Sequence, residues 1–279
     1  MSSFNPNADS DFNQFRAFLK DISGITLGEG KQFLVKSRLK KIMLEQKTDS
    51  LAALMRRAQL NKRNGVLMDQ IIDAMTTRET LWFRDNHPFE ILKNHILPEF
   101  SKEEQKSLRV WSSACSSGQE PYSISIIIKE YLAGITKDVF KDVEIMATDI
   151  SPAALDEAKE GVYSKIAVSR GLSEARRARF FTPKESDWQI KDEIRKVIIF
   201  KELNLRNSYL IFGKFDVIFC RNVLIYFSDD IKQDILTRLA KALNPGGYLF
   251  VGGSESVSMY VDKFKQVKTG GGVANRLKN

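Results

Sequence analysis

The sequence predicts an α/β protein: a doubly wound, mostly parallel sheet with a small β insertion, preceded by an all-α N-terminal domain. Three observations carry this. From Leu108 onward, short apolar runs alternate with amphipathic stretches, the signature of a parallel sheet with crossover helices. From Asp11 to Met75, apolar residues recur every three or four positions with no strand signal. The 279 residues, 43% hydrophobic and 28% charged, suit folded domains rather than a disordered chain.

Residues 1–10 are polar and expected to be disordered. A first helix starts at Asp11, with Phe12, Phe15, Phe18, Leu19 and Ile22 on one stripe, and stops at Gly24. A second covers about 31–45 and is expected to bury Phe33, Leu34 and Ile42. Asp49 or Ser50 caps a third, with Leu51, Leu54, Met55 and Ala58 inside. A fourth spans about 64–75 around Leu67, Ile71 and Met75. Residues 11–87 thus read as a helical domain, and 88–107 as a linker helix broken at Pro98.

The sheet domain occupies 108–279. Strands are expected at Arg109–Ser113, Val143–Thr148, Asp216–Cys220 and Tyr248–Gly252. Helices are expected at Gln119–Leu132, Pro152–Glu160 and Asp229–Leu243, and a hairpin around Gly270–Gly272. Residues 161–203 interrupt the alternation as a β-rich subdomain: RGLSEARRARFF reads as a short helix, and DWQIKD and KVIIFKEL as two of its strands.

The net charge of +8 has one address. Residues 31–63 hold ten basic and two acidic residues, which accounts for the whole excess. Lys36 and Lys40 share a helix face, where like charges repel slightly. Such a block draws an acidic partner, either nucleic acid or an acidic protein surface. No apolar run reaches the roughly 20 residues of a membrane span, and no secretory signal opens the chain. Cys115 and Cys220 make no disulfide framework, which fits a cytoplasmic protein. His87 and His95 are too few for a metal site, so none is expected.

Candidate chemistry gathers at strand ends, where ligands of open α/β sheets bind. DVIFCRNVLIYF begins as a buried strand and ends with Arg221, Asn222 and Tyr226. VWSSACSSGQEPYSIS, the first strand-to-helix turn, has one glycine among small residues, so it suits a ligand without a phosphate. Its Glu120 suits either a cationic ligand group or the helix N-terminus. Asp149, after the second strand, suits the two hydroxyls of a ribose; Ser151 is the better helix cap. Asn204 and Leu205 suit an adenine edge, although Asn204 reads equally as a turn residue. Thr77, Arg78, Glu79, Thr80 and Arg84 join the two domains, where clefts form.

Taken together, TTRETLWFR, VWSSACSSGQEPYSIS, ATDISPAALDEA, CRNVLIYF and LNPGGYLFVGGSES resemble, over nearly the full length, the CheR-type chemoreceptor glutamate methyltransferases. The resemblance implies a Rossmann-like methyltransferase that uses S-adenosyl-L-methionine and releases S-adenosyl-L-homocysteine. By position it implies a cofactor pocket of Arg78, Thr80, Arg84, Glu120, Asp149, Asn204, Leu205, Arg221 and Asn222. Arg78 stands where the family's usual motif has Asn. Tyr226 falls where the family places a tyrosine beside the methyl group. Lys36, Arg38, Lys40 and Lys41 resemble the surface that docks on the receptor's cytoplasmic methylation helices. Some members bind a receptor C-terminal pentapeptide through a glycine-rich loop of the insertion. FFTPKESDWQIKDEIRKVIIF is shorter and lacks glycine, so no such tether is expected. A cytoplasmic monomer recruited to receptor arrays is the expectation, with no nucleic acid and no direct membrane insertion. Two alternatives are a nucleic-acid methyltransferase and a binding module without catalysis. Against the first, no aromatic residue interleaves the LVKSRLKKIM face.

Overall fold

The computed structural model describes residues 6–60, 65–136, 138–269 and 271–278, with side chains from residue 10. Four helices open it: α1 (Pro6–Ser23), α2 (Gln32–Glu45), α3 (Leu51–Leu60) and α4 (Val66–Met75). Helix α1 begins at Pro6, five residues before the expected start at Asp11, so residues 6–10 are not the expected disordered tail. Proline's fixed φ suits a first turn, where its missing N–H has no partner to lose. The remainder of that tail, residues 1–5, lies outside the described residues. Phe15, Leu19, Leu39, Leu54 and Ile71 form the centre of this domain's core.

One expectation fails in α2. Val35, Leu39 and Ile42 are its buried residues, while Phe33 is 84% exposed and Leu34 is half-buried. Phe33 sits two positions from Val35, which at 3.6 residues per turn is roughly 200° round the helix. Hydrophobicity alone misassigned the phase.

The sheet domain starts with α5 (His87–Ile91), a π-helical turn (Leu92–Ile96) and α6 (Leu97–Lys102). Pro98 does not break this run. The wide turn before it accommodates the missing donor. Phe89, Leu92, Ile96 and Leu97 are buried in the same core as the sheet, so the segment is part of that domain rather than a linker. There follow β1 (Ser107–Ser112), α7 (Gln119–Ala133), β2 (Asp142–Asp149), α8 (Pro152–Glu160), β3 (Val162–Ser164), α9 (Lys165–Ser169), α10 (Glu174–Phe180), β4 (Phe181–Lys184), β5 (Asp187–Ile190), α11 (Asp192–Arg195), β6 (Ile198–Glu202), β7 (Phe215–Cys220), α12 (Asp229–Ala242), β8 (Leu243–Val251), β9 (Phe264–Thr269) and β10 (Gly272–Leu277).

Seven strands form one sheet in the order β6-β2-β1-β7-β8-β10-β9. Strand β10 alone runs opposite to the other six. The chain winds outward from β1 through β2 to β6, then returns to place β7 on the other side. The switch point therefore lies between the carboxyl ends of β1 and β7. Apolar clusters cover both faces.

Strand β6 corrects the reading of 161–203. KVIIFKEL supplies the sheet's edge strand, parallel to β2, and is no part of the insertion. Its solvent edge leaves it less apolar than a central strand, which disguised it. The insertion itself is a three-stranded sheet, β3-β5-β4, with three short helices.

One carboxylate clamps this insertion. Glu130 on α7 accepts from Arg176 Nε at 2.8 Å and Nη2 at 2.9 Å, and from Lys93 Nζ at 3.0 Å. The Arg176 guanidinium also lies 4.0 Å from the centre of the Phe83 ring. Burial raises the Glu130 pKa, but hydrogen bonds from Arg176 and Lys93 outweigh it and hold the carboxyl below its ordinary range. The ion pairs thus stabilise the fold above the unfolded value of about 4.3 and fade as pH falls through the lower folded value. Glu130→Gln is expected to cost about 1–3 kcal/mol at neutral pH. In thermal melts, its deficit against the parent chain should shrink below about pH 4.3.

Candidate active site

The helical domain docks on the carboxyl edge of the sheet. Asn204 Nδ2 donates to Ile22 O at 3.0 Å, Arg206 Nη1 to Lys20 O at 2.9 Å, and Thr26 N to Tyr226 O at 2.8 Å. Between the domains lies a cleft of about 1010 Å³, its open mouth included. The helical side contributes Ser23, Ile25 and the run Met75–Leu81. The sheet side contributes Ser113, Ala114 and Ser116 after β1, Asp149 at the end of β2 and Ile150 after it, Leu203–Leu205 after β6, and Arg221–Val223 and Tyr226 after β7.

Two carboxylates line it beside the first strand-to-helix turn. Asp149 accepts from the backbone N–H groups of Ser116 at 2.7 Å and Ser151 at 3.0 Å. Burial lifts its pKa above the ordinary value, partly offset by those hydrogen bonds. Glu120 accepts from Ser112 Oγ at 2.8 Å and from Arg221 Nη1 at 2.9 Å. Arg221, 5% exposed, also reaches Asp85 Oδ2 at 2.6 Å and Arg84 O at 2.8 Å. Three buried polar atoms of the wall, Ser113 Oγ, Ser116 Oγ and Arg221 Nε, have no protein partner. Gly118, with φ +95°, allows α7 to begin here. A Cβ on it would lie 2.9 Å from that of Ala158, so the turn's one glycine serves helix packing.

Residues 222–226 are shaped by a carboxylate that sequence reasoning missed. Asn222 has φ +58°, a left-handed conformation that Asn tolerates better than most residues. Glu255 accepts from the N–H groups of Asn222 at 2.9 Å, Ile225 at 3.2 Å and Gly252 at 2.6 Å. A Cβ at Gly252 would lie 2.7 Å from Asn222 Nδ2, so only glycine lets the two loops approach.

All ten residues expected at the pocket, Arg78, Thr80, Arg84, Glu120, Asp149, Asn204, Leu205, Arg221, Asn222 and Tyr226, line this one cleft. Three side chains are engaged differently from the sequence expectation. Asn204 uses its amide on Ile22 and on its own turn, donating to Ile22 O and accepting from Arg206 N. Arg78 bridges Asp73 on α4 and Glu157 on α8, the latter at 2.9 Å. Arg38 separates from Lys36, Lys40 and Lys41. It donates to Met75 O at 2.9 Å, Thr76 O at 3.1 Å and Thr77 Oγ1 at 3.3 Å, while the three lysines are exposed. The free thiols of Cys115 and Cys220 are fully buried and pushed up in pKa by burial, unsuited to nucleophilic attack. No metal-binding cluster occurs among the described residues.

Residues 78–273 match the model of the CheR methyltransferase SAM-binding domain, and residues 10–76 that of the CheR methyltransferase all-alpha domain. The chain belongs to the CheR methyltransferase family. It is 48% identical to the chemotaxis protein methyltransferase Cher2 of Pseudomonas putida over 96% of this chain and 98% of that one. Against chemotaxis protein methyltransferase 1 of Pseudomonas aeruginosa the figures are 48%, 97% and 99%. Against the chemotaxis protein methyltransferase of Vibrio anguillarum they are 44%, 97% and 98%. No described helix is long and apolar enough to cross a membrane.

The cofactor of this CheR-family chain is S-adenosylmethionine, and the cleft fits it. The walls offer the half-buried carboxylates of Asp149 and Glu120, apolar surface at Ile150, Leu203 and Leu205, and the unpartnered Ser113 Oγ, Ser116 Oγ and Arg221 Nε. Because Glu255 fixes the backbone from Asn222 to Ile225, Glu255→Gln is expected to lower turnover about tenfold, since small misplacements are costly. Cofactor affinity, measured calorimetrically, should change by less than about threefold.

Proposed function

We propose that this protein methylates glutamate side chains of methyl-accepting chemoreceptors in chemotactic adaptation, without a pentapeptide tether. One observation carries the substrate assignment. Arg38 braces the basic helix α2 directly on Met75–Thr77 at the rim of the cleft, with Lys41 exposed on the same side and Lys36 and Lys40 exposed round the helix. An acidic helix drawn to those lysines arrives next to the site. The relatives' chemotactic role agrees with this.

When bound, S-adenosylmethionine supplies a methyl group on a positively charged sulfur, which an ionised carboxylate displaces in line without a general base. Asp149 would accept hydrogen bonds from the ribose hydroxyls, and Leu205 with the backbone at Asn204 would flank the adenine. Glu120 would face the ammonium group, held in place by Arg221, while Arg78, Thr80 and Arg84 close the adjoining wall. Asn222 and Tyr226 stand on the loop that Glu255 fixes, so Tyr226 would orient the reacting groups and help exclude water. Insertion strands β4 and β5 are joined by Glu185 and Ser186 alone, with Glu185 at φ +54°. A two-residue turn gives a peptide tether little loop to bind, which supports pentapeptide independence.

Incubation with methyl-labelled cofactor and receptor cytoplasmic fragments should place base-labile label on protein. Label on tRNA instead would reverse the assignment. Tyr226→Phe and Tyr226→Ala are expected to bind cofactor normally while losing turnover. The Asp149 carboxylate binds hydroxyls best when ionised, and burial has raised its pKa. Cofactor affinity should therefore decline as pH falls through a value above about 3.9. Asp149→Asn should bind more weakly and lose that acid limb.

A further inference from the structure

A buried hydroxyl beside the cleft is gripped from the other domain. Ser151 is 1% exposed and caps α8, its Oγ accepting from Ala154 N at 3.0 Å. The hydroxyl proton still needs an acceptor, and α4 supplies it: Ser151 Oγ donates to Asp73 Oδ1 at 2.5 Å. Capping alone does not require such a partner. Ser164 and Ser173 cap α9 and α10 at exposed positions, where water can take the proton.

The same serine reaches the site. Ser151 N donates to Asp149 Oδ1 at 3.0 Å, while Ser116 N donates to Oδ2 at 2.7 Å. Each oxygen of that carboxylate thus meets a backbone donor, and one donor belongs to the residue that Asp73 holds. Asp73 Oδ1 also accepts from Arg78, which reaches on to Glu157 of α8 at 2.9 Å. A second carboxylate drawn toward Asp149 calls for a counter-charge. The Arg78 cation supplies it, working against the burial that raises the Asp149 pKa.

We propose that Asp73 is a positioning residue for cofactor binding: from the helical domain it holds Ser151, and through the Ser151 N–H it sets the Asp149 carboxylate for the ribose. The proposal rests on the reading of Asp149 given above and names what aims it. Without this acceptor the buried hydroxyl is left unsatisfied, and Ser151 loses the contact that fixes it. The effect falls on binding rather than on methyl transfer, because ribose contacts are the same before and during the reaction. Cofactor affinity is thereby tied to the seating of α4 against α8.

The test uses the full chain, calorimetric titration with S-adenosylhomocysteine, and initial methylation rates on a receptor cytoplasmic fragment. Asp73→Ala is expected to weaken binding and to raise KM for S-adenosylmethionine about tenfold, with kcat changed less than about threefold. Both contacts of Asp73 fall on Oδ1, so an amide oxygen can replace it, and Asp73→Asn should bind within about threefold of the parent chain. Ser151→Gly breaks the contact from the other side at a position where glycine still caps, and should match Asp73→Ala. Glu157→Gln loosens Arg78 but leaves Ser151 alone, and should bind as the parent does. Asp73→Ala combined with Asp149→Asn should lose no more than Asp149→Asn alone. Parent-like affinity in Asp73→Ala or in Ser151→Gly overturns the proposal, as do losses that add in the double variant. A tenfold loss in Glu157→Gln overturns it too, assigning the effect to domain docking in general. Parent-like binding in Asp149→Asn sinks the ribose reading, and this proposal falls with it.

Discussion

The buried guanidinium of Arg221 is the contact on which the site depends. It emerges one residue beyond β7, and its partners come from the first turn of α7 and from the segment that links the two domains. A cation this deeply buried is costly unless paired, and removing a partner would leave an uncompensated charge. The pairing therefore fixes where three chain segments meet more than it adds stability. The wall as a whole is charge-balanced, with Arg78, Arg84 and Arg221 beside Glu79, Glu120 and Asp149, so the charge a ligand group meets is set locally by the carboxylate it faces.

The cleft exists because neither domain can make it alone. The carboxyl edge of the parallel sheet supplies acids and amides, but leaves them open to water. The end of α1 and the run after α4 cover that edge, held by side chains of the sheet domain that donate to exposed carbonyls at the end of α1. Asn204 illustrates the trade. Its amide joins the domains, which commits one donor and one lone pair that a ligand would otherwise find free. Arg78 plays a comparable part from the other side, bridging α4 and α8. In this chain arginine at that position is a strut between domains as well as a wall of the cleft.

Much of this was legible in sequence. The alternation of strand and helix, the helical domain before it and the gathering of all ten pocket residues follow from local pattern and motif order. The misreadings share a cause. Strand β6, the π-turn before Pro98 and the inward face of α2 depend on what each segment packs against, and periodicity in a single segment does not contain that information. Glu255 was invisible for another reason. Its partners are three backbone N–H groups, two of them about thirty residues earlier, and no side-chain pattern announces such a bond.

The basic block shows most clearly what composition conceals. A charge count treats Arg38 and its neighbouring lysines as one patch. The structure divides them by chemistry. A planar guanidinium with a fork of donors holds two carbonyls and a hydroxyl at once and becomes a brace. An ammonium on a flexible stem stays hydrated and free to meet a partner. Because the brace ends on residues that line the cleft, α2 is anchored at its rim, with Lys41 on the braced side and Lys36 and Lys40 turned outward. Attraction of an acidic helix and delivery of its carboxylate to the cleft thus become one geometric event.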